Sequence, residues 1–153
     1  MHSFSPWLSF IGGLFLALAL IAVALRLILK WVRQVLRQRL AEVLDPAAVI
    51  LLEDFRANYF GRESLGGFQL RGNGVLVLTD TSLEFLMLWP RRHFRMPLAD
   101  ITGVAIVRSH CGKTIGRDLL KVFFQSAEQA DAMAWFVPEA QSWKNQLDAA
   151  VGR

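Results

Sequence analysis

The sequence is poor in the residue types that build disulfide scaffolds, zinc sites and catalytic clusters. It contains one cysteine, Cys111, and three histidines, His2, His93 and His110. A single cysteine excludes an internal disulfide and a cysteine-rich zinc site, and histidines this far apart do not suggest a metal site. Charged residues make up 20% of the chain and hydrophobic residues 54%, which excludes a disordered chain. We therefore expect a folded protein without a metal or another cofactor.

Acidic residues are almost missing from the N-terminal segment. Residues 1–44 contain five basic side chains and one acidic side chain, Glu42, so this segment carries a formal charge of +4. Residues 45–153 contain 12 basic and 12 acidic side chains and carry no net charge. The basic character of the chain therefore belongs to its first segment. It gives no support to nucleic-acid binding by the remainder, and we expect no nucleic-acid partner.

An uncharged run extends from Trp7 to Leu25, over 19 residues. A helix of this length approaches the hydrocarbon thickness of a bilayer, which is about 30 Å. Trp7 and Trp31 bracket the run at depths where tryptophan favours the membrane interface. Basic residues begin at Arg26, and none precedes Trp7. The sequence therefore predicts one transmembrane helix over about residues 7–29, with the N-terminus outside and the C-terminal domain in the cytoplasm.

A cleaved signal peptide is the alternative interpretation of this run. Ala22-Val23-Ala24 resembles a cleavage site of the A-x-A type. However, no Lys or Arg precedes the run, and the run is longer than the apolar part of a typical signal peptide. We therefore favour an uncleaved anchor that holds the protein in the lipid bilayer.

The basic residues after the run recur at helical spacing, which predicts that the helix continues beyond the membrane on one basic face. Two interpretations remain open for this face. It lies on anionic headgroups, or it is a solvated face whose opposite, apolar side packs on the domain or on a second copy. Asp45-Pro46 ends the helix, because proline disfavours helical backbone in the residue before it. The predicted division is 1–44 and 45–153. The membrane-proximal basic residues are Arg26, Lys30, Arg33 and Arg37.

Residues 45–153 show the short, β-rich segments of a mainly β domain. Ala47–Leu52 and Phe55–Phe60 are apolar stretches without a firm assignment. A glycine-rich turn is expected at Gly72-Asn73-Gly74, and a helix is expected from Pro138, with Trp143 and Leu147 facing inward. This pattern predicts an antiparallel barrel or sandwich closed by a C-terminal helix. The predicted strands are Gly67–Arg71, Val75–Thr79, Leu83–Leu88, His93–Leu98, Ile101–Arg108, Leu119–Gln125 and Ala132–Val137.

Residues 66–151 resemble the pleckstrin-homology (PH) superfold, and more closely its GRAM-like and bacterial PH-like members. The resemblance rests on a strand ending in L-T-x-x-x-L-x-F, a basic hairpin and an (I/P)-L-x-x-I step. It implies a seven-stranded barrel capped by a helix, and a non-catalytic binding or scaffold module near membranes. Its partner would be a protein that the sequence does not identify, or an anionic lipid. The matching positions are Leu78, Thr79, Leu83, Phe85, Pro97, Leu98 and Ile101.

Two basic segments are candidate binding sites for an anionic lipid or an acidic partner. The hairpin Trp89–Arg95 combines an indole with three arginines, and the loop Ser109–Asp118 carries two cations. From the residues alone we favour a plainer alternative, in which Trp89 is a core residue and both segments are solvated. Phosphoinositide-binding members of the superfold cluster basic residues at the first strand turn, whereas the corresponding Arg71-Gly72-Asn73-Gly74 has one. The candidate residues are Trp89, Arg91, Arg92, Arg95, Lys113 and Arg117.

A small enzyme that uses the Ser109–Asp118 loop is the remaining alternative. Gly112-Lys113-Thr114 resembles the end of a phosphate-binding loop, but Val107 occupies the position where that motif needs glycine. His110 and Cys111 are adjacent, so in an extended loop their side chains point in opposite directions and do not pair. We therefore expect no catalytic residues in this chain.

Overall fold

The structure, a computed structural model, describes residues 6–126 and 129–152, without the side chains of residues 6, 8 and 9. His2 therefore lies outside the described residues. The chain forms two compact units, one ending at Gln38 and the other beginning at Arg39. Helix α1 spans Pro6–Val43. Its residues up to Gln38 belong to the first unit, and its last residues belong to the second unit. In the second unit, seven strands are followed by a helix.

Helix α1 is apolar on all sides along its first half. Fifteen large hydrophobic side chains between Trp7 and Trp31 are 45–74% exposed. The segment Phe10–Val43 is, by length and composition, long and apolar enough to cross a membrane. It is the one such helix in the described residues. The unbroken helix ends two residues before Asp45, close to the predicted end.

The second unit is built around a seven-stranded antiparallel sheet with the strand order β4-β3-β2-β1-β7-β6-β5. Short 3-10 helices follow β1 and β4, at Glu63–Leu65 and Leu98–Asp100. The C-terminal helix α2 spans Ala140–Val151. The strands are β1 Ile50–Arg62, β2 Gly72–Thr79, β3 Ser82–Met87, β4 Arg92–Pro97, β5 Ile101–Val107, β6 Leu119–Gln125 and β7 Ala130–Phe136.

The core lies between the sheet and α2. Alternating apolar residues of the strands meet there, and Tyr59 packs in an aromatic group with Phe85 and Trp135. From α2, Trp143 and Leu147 enter the same core and are almost completely buried. Their spacing of four residues places them on one helix face, as the sequence predicts. The fold is therefore mainly β with a long apolar N-terminal helix and a C-terminal helix, which confirms the predicted class.

Strand β1 is longer than the sequence indicates. The second unassigned stretch and the end of the first, from Ile50, belong to one 13-residue strand, which pairs with β2 from Ile50 to Tyr59 and with β7 from Asn58 to Arg62. A change of register occurs between Tyr59 and Gly61, and Gly61 has a φ of 131°. Glycine permits that conformation without steric cost. The central strand can therefore pair with β2 along one part of its length and with β7 along the other.

The predicted strand Gly67–Arg71 and the predicted turn Gly72-Asn73-Gly74 are both wrong. Residues 66–71 form a loop, and strand β2 begins at Gly72. These glycines allow close approach between strands, because a Cβ on Gly74 would lie 2.1 Å from the backbone oxygen of Leu86. A Cβ on Gly72 would overlap the side chain of Met87. Glycine suits both a turn and a crowded strand pair, so composition alone did not separate them.

Candidate functional site

The turn between β3 and β4 presents Trp89 to solvent. Its side chain is 75% exposed, so the interpretation of Trp89 as a core residue is wrong. The turn is fixed by the backbone N–H of Leu88, which donates to the backbone oxygen of Asn73 at 2.8 Å. Arg91 and Arg92 follow the indole and are both exposed. An accessible indole beside two accessible guanidinium groups therefore occupies this turn.

Arg95, in contrast, lies beside a buried acid that the sequence analysis missed. Its Nε lies 3.3 Å from Oε1 of Glu84 on β3, where the register places the two residues opposite each other. Nε2 of His93 lies 2.5 Å from Oε2 of the same carboxylate, and the Ser82 hydroxyl donates to Oε1 at 2.7 Å. Glu84 is almost completely buried. An acid in one strand followed by a basic strand was the available signal, because directly opposed charges attract. Arg95 therefore pairs with Glu84 although its side chain is 53% exposed, and Arg91 and Arg92 are exposed in the turn.

Lys113 joins two loops of the domain. Its Nζ donates to the backbone oxygens of Gln69 at 2.8 Å and Phe60 at 3.3 Å. The backbone of Lys113 pairs with that of His110 in both directions at 2.9 Å, across a tight turn. The ammonium group therefore connects the loop between β5 and β6 to β1 and the loop that follows it. These contacts assign Lys113 a structural role within the domain.

Arg117 lies further along the same loop. Its guanidinium carbon is 5.8 Å from the centre of the Phe136 ring, and it lines a surface depression with Arg108 and Glu139. Arg108 also lies 3.6 Å from Asp118. This surface has mixed charge. The structure thus places Arg117 beside Phe136, and it places Lys113 beside Phe60 and Gln69.

The adjacent residues His110 and Cys111 are separated by their environments. His110 is buried, and its Nε2 lies 3.0 Å from the backbone oxygen of Gly61, so Nε2 carries the proton and donates. Burial lowers the pKa of His110 and raises that of Cys111. Nδ1 of His110 lies 3.8 Å from Oε1 of Glu63. A neutral histidine that donates to a carbonyl beside a protonated thiol is not the arrangement of an activated nucleophile.

Within residues 6–126 and 129–152, no three metal-ligating side chains form a group that could hold an ion. The histidines of that part, His93 and His110, are already bonded to Glu84 and Gly61. The expectation that the chain holds no cofactor stays a prediction.

The loop between β1 and β2, residues 63–71, carries three apolar side chains that the sequence analysis did not single out. Phe68 is fully exposed, and Leu65 and Leu70 are 60% and 63% exposed. An ion pair between the partly exposed Arg62 and the buried Asp131 fixes the start of the loop. Burial by itself raises the pKa of Asp131, but hydrogen bonds from Ser64, Arg62 and the Ala132 N–H outweigh it and lower the pKa to about 2. The polar side of this loop is thus tied to the domain while its apolar side chains face outward.

The basic residues that the sequence predicts to be membrane-proximal lie on helix α1. Lys30, Arg33 and Arg37 line one shallow surface depression together with Gln34, so these three share a face of the helix. Arg26 lies one turn before Lys30. The predicted spacing therefore corresponds to a continuous basic stripe.

Comparison with known proteins identifies a fold class. No protein family and no curated protein matches the sequence. Among solved structures, the chain resembles the C-terminal domain of an unknown protein from Leishmania infantum, with a TM-score of 0.55 and 14% identity over 79% of this chain and 98% of that one.

The N-terminal PH domain of Vps36 gives a TM-score of 0.52 at 13% identity, over 72% of this chain and 83% of that one. A chain of the 8S snRNP assembly intermediate also gives 0.52, at 9% identity, over 72% of this chain and 84% of that one. At this level of identity the likeness concerns the fold alone. The second unit has a PH-like fold.

Proposed function

We propose that this chain is a single-pass membrane protein whose PH-like domain acts as a non-catalytic binding or scaffold module. The observation that carries the proposal is the exposure of fifteen large apolar side chains on helix α1, which is apolar on all sides along its first half. Soluble proteins rarely expose so large an apolar surface. A helix that is apolar on all sides belongs in a protein core or in lipid, and its backbone bonds are satisfied within the helix, as lipid requires.

The orientation follows from the charges beside the apolar run. The basic stripe begins at Arg26, after the run, and cytoplasmic flanks of membrane helices carry an excess of Lys and Arg. The domain is therefore proposed to be cytoplasmic. The absence of Lys and Arg before Trp7 and the 19-residue length of the uncharged run support an uncleaved anchor over a signal peptide. The basic stripe would contact anionic headgroups, and each basic residue would contribute about 1 kcal/mol to the free energy of membrane binding.

Extraction and topology experiments test the anchor. The full-length protein should stay in the membrane pellet after an alkaline carbonate wash, and a C-terminal tag should be digested by protease only when the cytoplasmic face is accessible. The N-terminal sequence of the mature protein should precede Trp7. A mature protein that begins at Leu25, or release into the carbonate supernatant, would overturn the proposal.

The proposal that the module is GRAM-like rests on the positions of its motif within the strands. Leu78 and Thr79 end β2, and Leu83 and Phe85 lie on β3. Ile101 starts β5 directly after a 3-10 turn. A scaffold role is compatible with the presence of a similar chain in an assembly intermediate. A pulldown from detergent-solubilised membranes with the full-length chain as bait would test for a stoichiometric protein partner.

A second candidate function is the reading of anionic lipid headgroups through the Trp89–Arg95 hairpin. It is favoured by the exposure of Trp89, Arg91 and Arg92. The full-length chain in nanodiscs with phosphatidylserine should show slower amide exchange at residues 88–92 than in neutral nanodiscs. The variant Arg91→Glu/Arg92→Glu should abolish this difference, whereas Arg108→Glu, at an exposed arginine of another loop, should keep it. Equal exchange in both lipids would exclude this function.

A further inference from the structure

The sheet has two edge strands, β4 and β5, and they differ in chemistry. In the order β4-β3-β2-β1-β7-β6-β5, each of these two pairs with a described strand on one side only. Strand β5 carries no charged side chain and packs against α2. Strand β4, in contrast, carries two arginines and a histidine. Because an edge strand presents backbone donors and acceptors that another strand can use, the chemistry of β4 indicates what could pair with it.

The register of β3 and β4 shows which backbone groups of β4 face its neighbour. The two strands pair along the whole of β4 without a shift, and the N–H of Leu98 donates to the backbone oxygen of Thr81 at 2.9 Å. Hydrogen-bonded and non-hydrogen-bonded pairs alternate in an antiparallel ladder. Counting back from Leu98, the N–H and C=O groups of Met96 and Phe94 therefore point to β3.

The backbone groups of His93 and Arg95 point the other way, to the open side of β4. Pro97 occupies the next outward position. Proline has no N–H, and in sheets it is found where that missing group would have faced away from the neighbouring strand. The outer edge of β4 therefore offers the N–H groups of His93 and Arg95 and the carbonyl oxygens of all three residues.

A depression beside β4 can accept side chains of an added strand. It has a volume of about 320 Å³ and lies between β4 and residues of β6 and β7. Its apolar lining consists of Phe94 and Met96 from β4, Phe124 from β6 and Met133 from β7. Successive side chains of a strand point to opposite faces. Every second residue of a strand added at β4 would therefore face the depression.

The charges along β4 favour an acidic strand as the occupant. Arg91, Arg92 and Arg95 lie in or just before β4, and residues 91–97 contain no acidic side chain. Glu84 on β3 pairs with Arg95, so three arginines and one carboxylate leave a charge of +2, not counting His93. Opposite charges on facing strands attract each other. The edge of β4 is therefore complementary to a strand with acidic side chains.

A second copy of this chain is a poorer fit to the same edge. Two β4 strands paired with each other would bring their arginines together, and like charges on facing strands are destabilising. Charged edges of this kind keep identical sheets from pairing edge to edge. Asp100 also lines the depression and would repel an acidic side chain there. The positions that face the depression are therefore left to apolar residues.

We propose that β4 is a docking edge for an extended segment of a partner protein in which acidic and apolar residues alternate. The segment pairs with the outward backbone groups of His93 and Arg95, places its apolar side chains in the depression and its acidic side chains near Arg92 and Arg95. This inference rests on the proposed role of the domain as a binding module and names the chemistry of its partner. In such strand addition the backbone bonds give affinity and the alternate side chains give specificity.

The test uses the full-length chain in nanodiscs of phosphatidylcholine, which contain no anionic lipid. The probe is a short synthetic peptide in which glutamate alternates with valine. Three control peptides are matched to it. One has lysine in place of glutamate, one has the same residues grouped in two blocks, and one carries methyl groups on alternate backbone nitrogens and cannot complete the ladder. Amide hydrogen exchange by NMR is followed at His93 and Arg95, and Phe94 and Met96 serve as internal controls.

We expect the probe to slow exchange at His93 and Arg95 by about tenfold or more, because their N–H groups become hydrogen-bonded. Phe94 and Met96 already donate to β3 and should change much less. Each control peptide should bind about tenfold more weakly than the probe in a fluorescence anisotropy titration. Arg92→Glu should weaken binding of the probe about three- to tenfold, whereas Arg108→Glu, at an exposed arginine of another loop, should leave it unchanged.

Four results would overturn the inference. No protection of His93 and Arg95 at about 1 mM probe, where even weak complexes form, would show that β4 is not a docking edge. Equal binding of the probe and its methylated form would indicate a contact through charge alone. Protection without any peptide that rises with protein concentration would assign the edge to a second copy. Protection that appears without peptide in phosphatidylserine nanodiscs would assign it to lipid.

Failure of this inference can be separated from failure of the binding module. A protein that the native chain captures from membranes in stoichiometric amount, and that the Arg92→Glu chain captures equally well without protection of His93 and Arg95, would leave the module intact and exclude β4 as its site. Absence of a stoichiometric protein partner would instead count against the binding module itself.

Discussion

Nε2 of His93 lies 2.5 Å from Oε2 of Glu84, and the Glu84 side chain is 2% exposed. Isolated carboxylates are costly to bury, so Glu84 depends on the donors around it. The Ser82 hydroxyl and the His93 ring form hydrogen bonds with this carboxylate, and the Arg95 guanidinium forms an ion pair with it. The basic strand β4 therefore stabilises the sheet as well as facing solvent.

We expect Glu84→Gln to destabilise the second unit by about 1–3 kcal/mol, because the amide nitrogen would face donors and leave them without an acceptor. Denaturant unfolding of the full-length protein in detergent, followed by tryptophan fluorescence, measures the change. Glu139→Gln is the control, since Glu139 is exposed and makes no side-chain cap on α2. Equal stability of the two variants would show that the contacts of Glu84 contribute nothing.

Most regular elements of this fold, though not strand β1, could be predicted from the sequence, because their patterns are local. Helix α1 follows from its uncharged run, and β6, Leu119–Gln125, has the predicted bounds. The inward face of α2 follows from the spacing of Trp143 and Leu147. These features depend on residues that are near one another in the chain.

The candidate site was less predictable, because it depends on contacts between distant segments. The burial of Glu84 is set by the register of β3 and β4. The role of Lys113 is set by backbone oxygens more than 40 residues earlier in the chain. The exposure of Trp89 and Phe68 depends on which side of a strand end each loop leaves. No local pattern carries that information.

Gly74 should tolerate no side chain. A Cβ there would lie 2.1 Å from the backbone oxygen of Leu86, and backbone cannot move aside as a flexible side chain can. We expect Gly74→Ala to cost at least about 1–3 kcal/mol by overpacking. Gly103→Ala is the matched control, because its Cβ would meet nothing closer than Phe123 at 3.7 Å. That variant should be neutral or stabilising by about 0.4–1 kcal/mol. Similar melting temperatures for both variants would contradict the close approach of β2 and β3.

The stability of the second unit should depend on pH through Asp131. Its pKa is 3.8 in the unfolded chain and about 2 in the folded protein. The stability that the Asp131 carboxylate contributes is therefore complete at pH values above its pKa in the unfolded chain, and it is lost as the pH falls through its pKa in the folded protein. The shift corresponds to about 2 kcal/mol. Asp131→Asn should therefore be less stable than the native chain at neutral pH. The difference should narrow between about pH 5 and pH 2.

Unfolding free energies of the native chain and Asp131→Asn across this range provide the measurement. Asp118→Asn is the control, because Asp118 pairs with Arg108 at 3.6 Å on an exposed surface. Exposed ion pairs contribute about 0–1 kcal/mol. A difference between native and Asp131→Asn that stays constant with pH would contradict the role of the Arg62–Asp131 pair.

Replacement of two tryptophans of this chain by alanine should affect the free energy of unfolding very differently. Trp143 is 2% exposed and packs in the core from α2, whereas Trp89 is 75% exposed on its turn. Trp143→Ala should lower the free energy of unfolding by about 3–5 kcal/mol, since it removes a large buried side chain. Trp89→Ala should change it by less than about 0.5 kcal/mol, while it weakens the lipid-dependent protection of residues 88–92. If Trp89→Ala unfolded the domain as readily as Trp143→Ala, Trp89 would be a structural residue and the hairpin would lose its claim to a binding role.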